Sequence, residues 1–501
     1  MESKNYGDKP SLDYLFHPNS IAIAGVSTDM AKIASGRVFL ESLIGAGFKG
    51  ELYPVSGKPG KILGLKIYPS IRDIPDAVDY VISALPAQAT PQLIIDCATK
   101  KVKVIHMFTA GFSEIADEGG KRLESQITTM ARQRDISIIG PNCMGLYCPK
   151  TGLAFGPDLP KESGAIGFIS QSGGNAVLGI REAASRGIYF SKVISCGNAC
   201  DLNESDFLEY LTHDPDTEII AAYIEGVKDG TRFIERLKQA TKAKPVIIYK
   251  GGTTESGTRA VASHTAAIAG SNRVWDSLLK QVGAIQVHSM EELLDLLSLF
   301  RYMSPPKGRA TAIIGIGGGN SVHAADACSD AGLTIPLLPT EIRNRLKELY
   351  GGSETGASFR NPVDTYILRG DLLQETIKLV ANCKQIDLLI THITLGFNPK
   401  EDLMMVKYIE SVISISKEIS KPMAIVLYPI GITKFKRITS EAAAAFYKAG
   451  FPLFSSFGQA AEAITKFIDY RDKVHLVAAA VDQPRQMASR TIIQRRKGGK
   501  G

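Results

Sequence analysis

Two stretches of this chain carry residue types that could handle a phosphoryl group, and a third ends in an isolated carboxylate. The longest, Lys250 to Gly270, reads K-G-G-T-T-E-S-G-T-R-A-V-A-S-H-T-A-A-I-A-G and holds one histidine, His264. Its Gly, Ser, Thr and Ala cannot build a core. They leave backbone N–H groups exposed and let another surface come close, as expected of a loop that handles an anion. The second stretch, I-S-Q-S-G-G-N, follows an apolar run and opens a helix. There Ser172, Gly173 and Gly174 could bind phosphate through a hydroxyl and backbone N–H groups at a helix start. The carboxylate is Glu225, which ends the run I-I-A-A-Y-I-E-G.

Positioning these groups requires parallel sheets, and the sequence alternates short β-branched runs with helical stretches throughout. Strands are expected at Ile21–Gly25, Glu51–Val55, Tyr80–Ala84, Val102–Met107 and Ile136–Ile139. The loop A-G-V-S-T-D-M-A-K-I-A-S-G-R after the first suits a nucleotide phosphate at a helix N-terminus, although it lacks the G-x-G-x-x-G spacing. Lys58 and Lys61 follow the second strand, near the ligand crevice of such a sheet; two solvated lysines explain the spacing equally well. Residues 151–163 read as a linker rich in Gly and Pro. A second unit follows, with strands at Ala165–Ser170, Lys192–Ser195, Ile219–Ile224, Pro245–Tyr249 and Ala284–Val287. Glu225 therefore falls at a carboxyl strand end, the functional edge of a parallel sheet.

Ser304-Pro305-Pro306 marks another boundary, and strands resume at Ala310–Gly315, Asp387–Ile393, Met423–Tyr428 and Pro452–Phe454. The second and third units are an internal repeat: E-I-I-A-A-Y-I-E-G and K-P-V-I-I-Y-K match D-L-L-I-T-H-I-T-L-G and K-P-M-A-I-V-L-Y-P in order and pattern. Where the first copy has Glu225 the second has Leu395, and G-I-T-K-F-K-R stands in place of the His264 stretch. A residue needed only for the fold should reappear in the copy. Glu225 and His264 do not.

The totals bound the function. At 501 residues the chain exceeds one core, and about three domains are expected. With 44% hydrophobic and 22% charged residues it has a globular composition. No apolar run approaches the roughly 20 residues of a membrane span, and the N-terminus has no signal-peptide core, so a cytoplasmic location and no membrane partner are expected. Seven scattered cysteines argue against a disulfide framework, and no Cys/His cluster completes a metal site. The net charge of +7 owes much to the tail (Arg485, Arg490, Arg495, Arg496, Lys497, Lys500), read as solvated rather than as a nucleic-acid arm.

P-N-S-I-A-I-A-G-V-S, G-F-K-G-E-L-Y-P-V, I-G-P-N-C-M-G, I-S-Q-S-G-G, S-C-G-N-A-C-D-L-N-E-S-D-F-L-E-Y-L and A-S-H-T-A-A-I-A-G occur in this order, within a resemblance that extends from about Pro18 to Asp472. On these blocks the chain resembles the alpha subunit of ADP-forming acyl-CoA synthetases, in the succinyl-CoA synthetase superfamily. The resemblance implies an α/β protein with a Rossmann-like CoA-binding domain (1–150) and two flavodoxin-like domains. These would be a ligase domain with a phosphohistidine loop (163–303) and a second ligase-like domain (308–472), followed by a basic tail (473–501). It further implies that Gly25, Val26, Ser27, Thr28, Ser56, Lys58 and Pro86 hold CoA, with Asn142 near its thiol. His264 would be phosphorylated and Glu225 would orient it, while Ser170, Ser172, Gly173 and Gly174 cradle the phosphoryl group. ATP/ADP and Mg²⁺ would bind mainly on an ATP-grasp beta subunit, giving a hetero-oligomer that acts on a small carboxylate.

Imidazole suits this role when one ring nitrogen is free and the other donates to a carboxylate. The chain departs from the family pattern at Ala266 and Ile268, at Asn175, which is expected to make a new contact, and at G-I-G-G-G-N-S-V-H in the third unit. The competing readings are a non-catalytic or regulatory CoA-binding homologue, an acyl or carbamoyl transferase without histidine phosphorylation, and an NAD-dependent oxidoreductase. The last lacks the dinucleotide fingerprint.

Overall fold

Runs of Ile, Val and Ala bounded by polar turns form three sheets whose parallel strands are buried on both faces, as parallel sheets require. The computed structural model describes residues 12–29, 34–115, 117–265, 272–315, 317–351, 358–365, 370–394, 402–428 and 433–474, without side chains at 262–265, 394, 402–406 and 433–436. They fall into two compact units, residues 1–184 with 188–293 and residues 185–187 with 294–501.

The first unit opens with β1 (Ser20–Ala24), β2 (Glu51–Val55), a small antiparallel hairpin of β3 (Gly60–Ile62) and β4 (Leu65–Ile67), then β5 (Tyr80–Ser83), β6 (Val104–Met107) and β7 (Ser137–Ile139). Its sheet runs β2-β1-β5-β6-β7. Helices α1 (Ser35–Ala46), α2 (Thr90–Thr99) and α3 (Glu118–Arg132) make the crossovers. Val81, Ile94, Ile105, Ile127 and Ile138 are central to its core.

The second sheet comprises β8 (Gly145–Tyr147), β9 (Ile166–Ser170), β10 (Phe190–Ser195), β11 (Ile219–Ile224), β12 (Val246–Lys250) and β13 (Ile285–Val287), in the order β13-β12-β11-β9-β10-β8. β8 lies antiparallel on β10, so residues 145–147 add an edge to this sheet. Its helices are α4 (Gly173–Ser185), α5 (Glu204–His213), α6 (Gly230–Ala243), α7 (Glu255–Thr265) and α8 (Asn272–Val282). Polar starts are capped from the sequence: Asn203 and Asp206 form a reciprocal capping box on α5, and Asp229 accepts from Arg232 N–H on α6.

After α9 (Met290–Tyr302), the second unit builds β14 (Thr311–Gly315), β15 (Ser358–Phe359), β16 (Val363–Asp364), β17 (Leu388–Thr394), β18 (Met423–Tyr428) and β19 (Leu453–Phe454), ordered β15-β16-β14-β17-β18-β19. Helices α10 (Gly318–Asp330), α11 (Thr340–Leu349), α12 (Gly370–Ala381), α13 (Asp402–Ile415) and α14 (Thr433–Lys448) complete it. Its core centres on Ile314, Leu389, Ile425 and Phe446.

Counted in chain order, the parallel strands of all three sheets read 2-1-3-4-5. This is a doubly wound order whose ligand crevice opens at the carboxyl ends of strands 1 and 3. The expected α/β class and the succession of a Rossmann-like and two flavodoxin-like folds are present. Among the described residues no helix is long and apolar enough to cross a membrane.

Candidate functional site

The crevice of the second sheet lies between the ends of β9 and β11, and the candidate residues stand there. After β9 the chain turns through Ser172 into α4, so Gly173 and Gly174 are its first residues. Ser170 is fully buried, and its hydroxyl donates to the Ser172 carbonyl (2.7 Å) while accepting from the Ser172 N–H (3.2 Å). It braces the turn. The Ser172 hydroxyl accepts from the Asn175 N–H at 3.3 Å. A Cβ on Gly173 would come within 2.8 Å of Met144 Cγ, so glycine is what lets the helix start sit under that side chain.

At the end of β11, Glu225 is buried and its Oε1 accepts from the Tyr223 hydroxyl at 3.1 Å. Burial, with the Glu225 charge second, holds that hydroxyl well above the ordinary tyrosine range, so it stays protonated and able to donate. Gln171 clamps the backbone of the carboxylate turn. Its Oε1 accepts from the N–H groups of Glu225 (2.6 Å) and Gly226 (3.1 Å), and its Nε2 donates to the Gly226 carbonyl (2.7 Å). Lys250, buried at the end of β12, donates to the Glu225 carbonyl at 2.8 Å and to the Gly251 carbonyl. Burial lowers the pKa of this lysine, and the Glu225 charge opposes the shift.

The stretch expected to be a loop is in part a helix. Residues 255–265 form α7, capped by Thr254, whose hydroxyl accepts from Gly257 N–H at 3.0 Å. A Glu255–Arg259 pair at 2.8 Å adds an i,i+4 contact on its first turn. Gly252, at φ +70°, makes the bend from β12, and a Cβ there would meet Val261 Cγ2 at 2.8 Å. α7 packs against residues 113–115, a single turn after β6. Ser172, Tyr223, Glu225, Gly252, Gly257, Ala260 and Val261 line one cavity of about 550 Å³. Positions 257, 260 and 261 recur at helical spacing, and position 264 shares their face of α7 by register. The His264 side chain, residues 266–271, Leu395 and the tail from 475 lie outside the described residues.

The other candidates gather at the carboxyl edge of the first sheet. Gly25, at φ +96°, starts the turn after β1, and its N–H donates to the Val55 carbonyl at 3.0 Å. A Cβ on Gly25 would lie 2.7 Å from the Ala84 carbonyl oxygen, and one on Gly36 would lie 2.6 Å from the Gly25 carbonyl oxygen. Such close approach of strand, turn and helix is how glycines shape a nucleotide cradle. Val26, Ser27 and Thr28 continue this turn, Ser56 and the exposed Lys58 follow β2, and Pro86 follows β5. Lys61 sits on β3, paired with Lys66 in the hairpin. Asn142 faces the second sheet's loops instead, with its amide 3.4 Å from the Asn198 side-chain oxygen.

Asn198 donates to Glu114 (2.5 Å) and to Glu124 (2.9 Å), tying the turn under α7 to the loop after β10. Burial would raise the Glu114 pKa, but donors from Asn198, Gly111 and Phe112 outweigh it and hold the carboxyl below its usual range. Gln171, Tyr223, Lys250 and Asn198 were not apparent as candidates in the sequence. Gln171 and Lys250 reach backbone groups of other strand ends, Asn198 reaches the 113–115 turn and α3, and Tyr223 reaches the carboxylate two residues on, contacts that the residue types alone do not announce.

Residues 19–149 match the family described as CoA binding domain, and residues 163–300 match the succinyl-CoA ligase like flavodoxin domain. The chain is 37% identical over 380 residues to the Pyrococcus furiosus acetate–CoA ligase [ADP-forming] II subunit alpha, covering 76% of this chain and 81% of that one. Against the acetate–CoA ligase [ADP-forming] of Methanocaldococcus jannaschii it is 36% identical over 363 residues, 72% of this chain and 50% of that protein. Among solved structures it is similar to dinucleotide forming acetyl-coenzyme A synthetase 1 of Ca. Korarchaeum cryptofilum, in complex with phosphate and ADP. That match has a TM-score of 0.79 at 28% identity, covering 94% of this chain and 98% of that one.

Proposed function

The chain belongs to the family of ADP-forming acyl-CoA synthetases, and from that membership we propose that it acts as their alpha subunit, with His264 as its phosphoryl carrier. A carboxylic acid, CoA and ATP are interconverted with acyl-CoA, ADP and phosphate. One observation carries the residue assignment: the α4 start, Glu225 and the face of α7 that includes position 264 converge on one crevice.

In the ATP-forming direction, phosphate displaces the CoA thiol from the acyl carbon, exchanging a C–S for a C–O bond. A ring nitrogen of His264 then attacks phosphorus. The P–O bond to the acyl group breaks, the carboxylate leaves, and the second ring nitrogen keeps its proton, donated to Glu225. Ser172 and the N–H groups of Gly173 and Gly174 stabilise the phosphoryl oxygens through a helix N-terminus already in place. Transfer to the terminal oxygen of ADP restores the imidazole, and synthesis reverses each step. CoA binds the first sheet's edge through Gly25, Val26, Ser27, Thr28, Ser56, Lys58 and Pro86, with Asn142 toward its thiol. The close approach of strand, turn and helix at Gly25 and Gly36 fits a pyrophosphate. ATP/ADP and Mg²⁺ are held mainly by an ATP-grasp beta subunit in a cytoplasmic hetero-oligomer.

The acyl half-reaction can be tested without that partner. Incubation of the chain with acetyl-CoA and ³²P-phosphate should place an acid-labile, base-stable label on His264. Equal labelling of a His264→Ala variant would sink the assignment.

A further inference from the structure

The carboxylate that faces the phosphoryl crevice is itself held by a neighbour on the same strand. Tyr223 donates to Glu225 Oε1 at 3.1 Å and lines the same cavity. Its ring packs edge-on against Tyr249, with centroids 5.0 Å apart, so the hydroxyl has little freedom to wander. The space it occupies is kept open by Gly251, whose Cβ would fall 2.7 Å from the Tyr223 hydroxyl oxygen and 3.0 Å from Cζ. The hydroxyl is thus held against the carboxylate.

We infer that Tyr223 is a positioning residue for phosphoryl transfer: its hydroxyl fixes which way the Glu225 carboxylate presents itself to the histidine. The inference rests on the phosphohistidine reading above. Its physical content is that a glutamate carboxylate can rotate about its side-chain bonds, whereas one whose first oxygen is bound presents its second in one direction. That direction decides which imidazole nitrogen keeps the proton, and so which nitrogen takes phosphorus. A misplacement on the order of 1 Å at such a contact costs roughly 10²-fold in rate.

The test uses the full chain with acetyl-CoA and ³²P-phosphate, together with ³¹P NMR of the labelled protein to distinguish phosphorylation at the two ring nitrogens. Tyr223→Phe keeps the ring and should fold. It should lower the labelling rate roughly 10- to 100-fold with KM for acetyl-CoA within about twofold, and give a mixture of phosphohistidine isomers where the parent gives one. Gly251→Ala, which retains the tyrosine and displaces it, should reproduce the defect. Because Tyr223 acts through Glu225, adding Tyr223→Phe to Glu225→Gln should cost nothing further. A parental rate and isomer in either single variant, or losses that multiply in the double variant, overturn the inference while leaving the phosphohistidine reading intact. Absence of label on the parent, or its persistence in His264→Ala, is the separate failure that removes both.

Discussion

The second and third sheets have the same strand order and the same helix start, G-G-N at 173–175 and at 318–320, yet they place different chemistry at equivalent points. Ile219 pairs with Ile166 and Leu388 with Thr311, each at the first residue of the leading strand. Counting up from there, Tyr223 corresponds to His392 and Glu225 to Thr394, one residue earlier than the sequence match to Leu395 had it. Across the next strand, Lys250 is the partner of Ile224 and Leu427 the partner of Ile393. The clamp residue Gln171 corresponds to Ile316. The copy therefore retains the scaffold and lacks the tyrosine, the carboxylate, the lysine and the glutamine together. A fold that needed these buried polar groups would have needed them twice; their joint absence from one copy ties them to the crevice.

The largest expected effect tests the carboxylate. Glu225→Gln should lower the rate of ³²P labelling by about 10²–10⁴-fold, the range of a lost acid–base partner. A rate within tenfold of the parent would erase the distinction between the two sheets. Next comes the lysine. Lys250→Met leaves the Glu225 and Gly251 carbonyls without their donor, at a cost of about 1–3 kcal/mol if they stay buried, and labelling should fall roughly tenfold. Leu427→Met at the corresponding point should shift stability by less than about 1.5 kcal/mol and leave labelling unchanged. Equal responses at the two positions, read by labelling and thermal melting, would break the comparison.

The smallest effect sharpens it from the other side. His392 packs against Tyr428 and Phe457 with ring centroids 4.9 and 5.2 Å apart, and burial lowers its pKa from 6.5 to about 4. The unfolded chain then binds more protons than the folded one between those values. Stability is complete above about pH 6.5 and is lost as pH falls toward 4. Melting of the second unit should show this slope. His392→Phe should flatten it by up to about 3 kcal/mol without altering labelling at neutral pH.

Most of the fold was legible because a buried parallel strand must be a run of apolar residues, and such runs mark β1, β9, β11, β12, β14, β17 and β18 directly. The two-residue strands β15 and β16 carry no such run. α7 was misread for a different reason. Gly, Ser and Thr suggest a loop, but Thr254 caps the first turn, and Glu255, Arg259, Ala260 and Val261 supply enough helical preference and packing to hold the turns. Glu225 was visible through its position at a strand end and its loss from the repeat. Tyr223, two residues earlier, reads as ordinary strand filler. The spacing of two puts it on the carboxylate's face of the strand, but the residue type alone does not say that its hydroxyl reaches the carboxylate.

The missing side chain at Gly251 has a consequence for how such proteins diverge. The tyrosine hydroxyl fills the volume a Cβ would take, so the two positions cannot drift independently. Among relatives, a glycine after the β12 lysine should travel with a phenolic residue two before the carboxylate. Any lineage that gains a side chain at the first should show a smaller residue at the second. Covariation between these two positions would record, in inherited sequence, the clash at 2.7 Å that a Cβ at position 251 would make with the tyrosine hydroxyl.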